Sequence, residues 1–79
     1  MDKEVILWAD DEIDLLKPHI MFLEEKGYSV IAVASGDEAL DELARCQVDI
    51  VFLDENMPGL SGIDTLTIIK NKHPMLPVI

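Results

Sequence analysis

Three aspartates in this 79-residue chain stand where carboxylates could act together. Asp10 and Asp11 follow the apolar run that begins at Val5, and Asp54 ends a second apolar run that begins at Asp49. If both runs are parallel strands of one sheet, their ends share an edge, and carboxylates from distant parts of the chain meet in one pocket. Like charges so placed repel. A hard divalent cation relieves that repulsion, and Mg2+ suits such a site because it takes a few carboxylates, a carbonyl and retained waters. Taken singly, an aspartate at a strand end is an ordinary loop start or helix N-cap that favours the helix dipole. Two strand ends, one carrying a pair of acids, make the shared site the stronger reading.

The segments that must position these acids alternate between two types. Residues 5–10 (VILWAD) and 49–54 (DIVFLD) are short, nearly continuous apolar runs, as expected of buried parallel strands. Residues 28–34 (YSVIAVA) form a third, β-branched run, and residues 77–79 (PVI) begin a fourth. Between them lie helical patterns. Ile13, Leu16, Ile20 and Leu23 recur at helical steps, with Glu24, Glu25 and Lys26 on other faces and Gly27 as a stop. Pro18 inside that pattern removes a hydrogen bond and crowds the carbonyl of Asp14, which predicts a kink or a late helix start. Ser35 and Glu38 fit a capping box that opens a second helix, whose apolar face is Ala39, Leu40, Leu43 and Ala44. A third helix opens at Ser61, turns Ile63, Leu66 and Ile69 inward, and ends before Pro74. Strand and helix in alternation predict an α/β parallel sheet with right-handed crossovers.

Composition bounds the function. Sixteen acidic against six basic residues give a net charge of −10, which argues against nucleic-acid binding, where a basic face must displace counterions. The hydrophobic fraction of 49% argues for a folded chain. A core of this size leaves roughly 3–5 kcal/mol of net stability. Cys46 is the single cysteine, so there is no internal disulfide and no cysteine-based zinc site. No secretory signal and no membrane-length apolar run are visible, and with one free thiol the chain reads as cytoplasmic.

The residues LDENMPGLSG at 53–62, together with the Asp10-Asp11 pair after an apolar strand, resemble the receiver domain of two-component response regulators. The resemblance spans all 79 residues and implies a flavodoxin-like (CheY-like) receiver fold, incomplete at its C-terminus, so that residues 1–79 are the N-terminal portion of a receiver. It implies that Asp54 accepts a phosphoryl group from a sensor histidine kinase. Asp11 and Asp54 would then ligate Mg2+ directly, Asp10 mostly through water, and Asn56 through its backbone carbonyl. Pro58 and Gly62 would shape the loop, and the Asn56 side chain would sit where the family tunes phosphoryl lifetime. Such a domain promotes its own phosphorylation and dephosphorylation rather than turning over as an enzyme. The family's switch residues, a Ser or Thr ending strand four and a Lys ending strand five, would lie beyond Ile79; Lys70 and Lys72 belong to the third helix and cannot replace the latter. A receiver ending at Ile79 would lack two strands and two helices, which predicts poor folding or assembly of copies through the bared sheet edge. A narrower likeness, carried by LWADDEIDLLKPHI with FLDENMPGLSG, is to the PorX-type regulators of Bacteroidetes, which carry an alkaline-phosphatase-like output domain.

Three other readings compete with this one. A calcium-binding loop starting at Asp54 fails, because Thr65 stands where a bidentate Glu is needed and Pro58 occupies a ligand position. A haloacid-dehalogenase-like phosphatase needs a second Asp where the chain has Asn56, and it leaves Asp10 and Asp11 unexplained. A receiver-like interaction module that is not phosphorylated remains the alternative. Of the other residues, His19 and His73 read as solvated, Cys46 as a small apolar filler, and Met21, Met57 and Met75 as packing groups. Trp8 reads as a core residue on the same side of its strand as Asp10.

Overall fold

Val5–Ala9 (β1), apolar on both faces, is the middle strand of the sheet, with a parallel neighbour on each side. A computed structural model describes residues 3–57 and 59–79. In it β1 pairs with Ser29–Val33 (β2) and with Ile50–Leu53 (β3), both parallel, in the order β2-β1-β3. Ala9 is in register with Val33 on one side and Leu53 on the other, so β1 and β3 end level. The fourth run lies where the sequence puts it. Val51 N–H donates to Pro77 O at 3.0 Å, and Leu53 N–H donates to Ile79 O at 3.0 Å, a parallel start beside β3.

Leu7, Ala9, Val33 and Val51 project from one sheet face into a cluster with Ala39 and Leu43 of Gly36–Arg45 (α2) and Ile69 of Gly62–Lys72 (α3). Leu7, Val51 and Ile69 are fully buried, and each such side chain contributes roughly 1.5–3 kcal/mol relative to leaving it in water. The other face carries Ile6, Trp8, Ile50 and Phe52. There Leu23 of Lys17–Glu25 (α1) and Tyr28 border a cavity of about 310 Å³ with Ile6, Ile50 and Phe52. α1 buries none of its residues fully.

Pro18 delays α1 as expected. A short 3₁₀ turn, Ile13–Leu16, precedes it, and Pro18 falls in the first turn of α1, where its missing N–H leaves no bond unmade. Gly27, at φ 100°, closes the helix: Tyr28 N–H reaches Leu23 O and Gly27 N–H reaches Glu24 O, a Schellman ending. At α2 the Ser35 hydroxyl accepts from Glu38 N–H, but the Glu38 carboxylate accepts from Ala34 N–H rather than from Ser35 itself. Ser61 caps α3 in the same way, accepting from Asp64 N–H at 3.1 Å.

Several packing expectations are corrected. Ile63 is 67% exposed, and Thr65 takes the inward place with no exposure at all. The α3 stripe that faces the core is Gly62, Thr65 and Ile69. Ala44 is exposed, one step off the buried Ala39–Leu43 line of α2. Met57 is buried, whereas Met21 and Met75 stand largely in solvent, and Cys46 is exposed rather than a filler. Trp8 is half-buried; among the described residues, the buried side chains of α2 and α3 pack on the other face of the sheet.

Candidate functional site

The level ends of β1 and β3 deliver the acids to one place. Asp54 N–H donates to Ala9 O at 3.0 Å, and Asp10 N–H donates to Val33 O at 3.1 Å, so the residues leaving all three strands are pinned together. One carboxylate oxygen from each of Asp10, Asp11 and Asp54 lies within 4.8 Å of the others. Asp10 and Asp54 are half-buried and Asp11 is exposed. The Asp10 carboxylate also accepts from Glu12 N–H at 2.9 Å, which fixes its orientation while leaving its second oxygen free of protein donors among the described residues.

Among the described residues, no lysine or arginine pairs with the three aspartates; the ion pair there is Arg45 with Glu42, an exposed helix-surface contact. Lys70 and Lys72 lie in the last turn of α3, and the Lys70 ammonium donates to Leu76 O. An 11-residue helix that begins beside Asp54 carries its last turn about 15 Å away, at 1.5 Å per residue. The donor set consists of hard oxygens with no internal cation, which fits Mg2+ and lacks the imidazole and thiolate that softer metals prefer. Asn56 lies exposed in the loop after β3, two residues beyond Asp54. Pro58 lies outside the described residues.

Gly62 shapes the loop as expected, by close approach. A Cβ there would overlap Asp54 O and stand 2.7 Å from Glu55 Cα, and Gly62 N–H donates to Glu55 O at 3.2 Å. Sequence reasoning missed Thr65, which packs against Gly36 of α2. A threonine in mid-helix gives no apolar signal, and only its spacing from Gly62 could have drawn attention to it. On its outer side Asp54 borders a cavity of about 140 Å³ walled by Leu53, Gly62, Leu66, Val78 and Ile79.

Three comparisons agree with this geometry. The chain belongs to the family of response regulator receiver domains, whose model matches residues 6–79. It is 40% identical over 76 residues to the nitrogen assimilation regulatory protein NtrX of Azorhizobium caulinodans, covering 94% of this chain and 17% of that protein. It is 45% identical over 75 residues to the DNA-binding transcriptional regulator NtrC of Klebsiella pneumoniae, covering 94% of this chain and 16% of that one. The chain thus spans under a fifth of either regulator. Among solved structures it superposes with a TM-score of 0.87 and 32% identity on the response regulator TrrA of Thermotoga maritima in complex with Mg2+ and BeF, over 95% of this chain and 65% of that one. A second structure holds TrrA in complex with the histidine kinase ThkA.

Among the described residues no helix is long and apolar enough to cross a membrane.

Proposed function

We propose that Asp54 is the phosphoacceptor of this receiver and takes a phosphoryl group from a sensor histidine kinase. The observation that carries the reading is the convergence of Asp10, Asp11 and Asp54 within 4.8 Å at one sheet edge, on a chain of the receiver family. Asp11 and Asp54 are assigned as direct Mg2+ ligands, Asp10 as a ligand mostly through water, and Asn56 as a ligand through its backbone carbonyl. When bound, Mg2+ offsets the repulsion between the nucleophile and the anionic phosphoryl oxygens.

The chain's own residues do the rest. An Asp54 carboxylate oxygen forms the new bond to phosphorus while the bond from phosphorus to the donor histidine nitrogen breaks, and that nitrogen leaves with the electron pair. The backbone bond from Asp54 to Ala9 and the pressure of Gly62 hold the nucleophile in place, so little reorganisation is needed at the moment of transfer. The kinase as partner is supported by the TrrA complex with ThkA.

Acetyl phosphate with Mg2+ tests the assignment. The wild-type chain gains one phosphoryl group by intact mass, and Asp54→Asn gains none. Labelling retained in that variant overturns the phosphoacceptor assignment, and a wild type that never labels favours the interaction module that is not phosphorylated.

Further assignments belong to the same proposal. The chain is the N-terminal portion of a receiver, acts in the cytoplasm and makes no direct contact with nucleic acid. Copies associate through the sheet edge beside residues 77–79; light scattering that shows a monomer at every concentration contradicts this. The PorX-type likeness is tested by the full gene: an alkaline-phosphatase-like domain encoded with this chain supports it and a DNA-binding domain contradicts it.

A further inference from the structure

The contact between Gly36 and Thr65 lies outside the acid cluster and has no role in the reading above. Gly36 is the buried first residue of α2, and Thr65 is fully buried in the first turn of α3. A Cβ at Gly36 would overlap Thr65 Oγ1 and stand 3.3 Å from both Thr65 Cβ and Leu60 Cβ. Thr65 does not give way cheaply. Its hydroxyl donates to Ser61 O at 2.8 Å, and rotating a β-branched side chain would break that bond at a residue with no exposure to solvent.

Three residues earlier on the same helical stripe, Gly62 presses on the main chain of Asp54 and Glu55 with equally little room. The start of α2, the first turn of α3 and the backbone that carries Asp54 are therefore in contact one after another. Close-packed interiors transmit small displacements along such a series instead of absorbing them.

We propose that Gly36 and Thr65 are positioning residues for the acid site: the depth at which α2 seats on Thr65 sets where α3 presses on the Asp54–Glu55 backbone, and so holds the Asp54 carboxylate within reach of Asp10 and Asp11. The inference rests on reading the cluster as a Mg2+ site. Neither residue touches the transferring group.

Titration calorimetry of Mg2+ on the whole protein, with melting curves beside it, tests the proposal. Gly36→Ala weakens Mg2+ binding about tenfold, the scale seen when groups behind metal ligands are disturbed. Adding Thr65→Ala removes the atom that the new methyl displaces and returns the affinity to near wild type. Leu43→Ala, a buried α2 residue outside the contact series, lowers the melting temperature and leaves the affinity unchanged. If Gly36→Ala does not fold, Thr65→Ile crowds the same contact from α3 and is expected to weaken Mg2+ in its place. Wild-type affinity in the crowded variant, failure of Thr65→Ala to rescue, or an equal loss in Leu43→Ala overturns this proposal alone. A wild-type protein that takes up no Mg2+ overturns the site reading and the proposal with it.

Discussion

Trp8 and Phe52 meet edge to face across β1 and β3, with ring centroids 5.2 Å apart and planes at 80°. They are paired residues in the strand register, and each stands two positions before an aspartate of the site, Asp10 and Asp54. Side chains alternate along a strand, so the aromatic pair sits beneath the strand-end acids on one side of the sheet. Replacing Phe52 with Leu keeps an apolar group but loses the edge-to-face contact. The expected cost is about 0.5–1.5 kcal/mol beyond the lost area, with a shift in Trp8 emission. Urea denaturation of the variant checks this, and an unchanged midpoint contradicts it.

Gly62→Ala is expected to be the most damaging single-methyl change near the site. The added Cβ meets main chain at Asp54 and Glu55, which cannot rotate away as a side chain could. Overpacking of this kind costs about 1–3 kcal/mol, and here it also displaces a ligand-bearing backbone. Denaturation midpoint and Mg2+ affinity should fall together; a stable variant with normal affinity contradicts the close approach.

Asp11→Asn separates binding from stability. Asp11 is exposed and lies among like charges with no lysine or arginine paired to them, so neutralising it relieves repulsion in the metal-free protein. Melting without Mg2+ should occur at the same or a higher temperature than in the wild type, less so in high salt, while Mg2+ affinity falls. A lower metal-free melting temperature would show that Asp11 serves the fold instead of a cation.

Much of this arrangement is legible in the sequence because local chemistry and global fold agree. The runs ending at Asp10 and Asp54 are apolar at nearly every position, as parallel strands inside a layered sheet require, although Trp8, Ile50 and Phe52 on the α1 side are only half-buried. Ser35, Ser61, Pro18 and Gly27 each mark a helix end that the structure places where its chemistry calls for it. The failures are physical. Counting apolar residues on α3 picks Ile63, yet the helix rolls toward Thr65 because Gly62 must lie flat on the Asp54 backbone, and the threonine hydroxyl finds its partner one turn back at Ser61. Met21, Met75 and Cys46 misled because an apolar side chain carries no record of which sheet face is covered. The Gly36–Thr65 contact was invisible for a related reason: close approach between two helices leaves no periodic signature.

The central claim is that Asp10, Asp11 and Asp54 form a Mg2+ site in which Asp54 is poised for phosphoryl transfer. Its most direct test follows Trp8 fluorescence while Mg2+ is titrated with and without beryllofluoride, which mimics a phosphoryl group on an aspartate, and with Asp54→Asn as the control. A saturable, Mg2+-dependent response to beryllofluoride that disappears in the variant is expected. A response that survives in Asp54→Asn, or a wild type that responds to neither Mg2+ nor beryllofluoride, would contradict it.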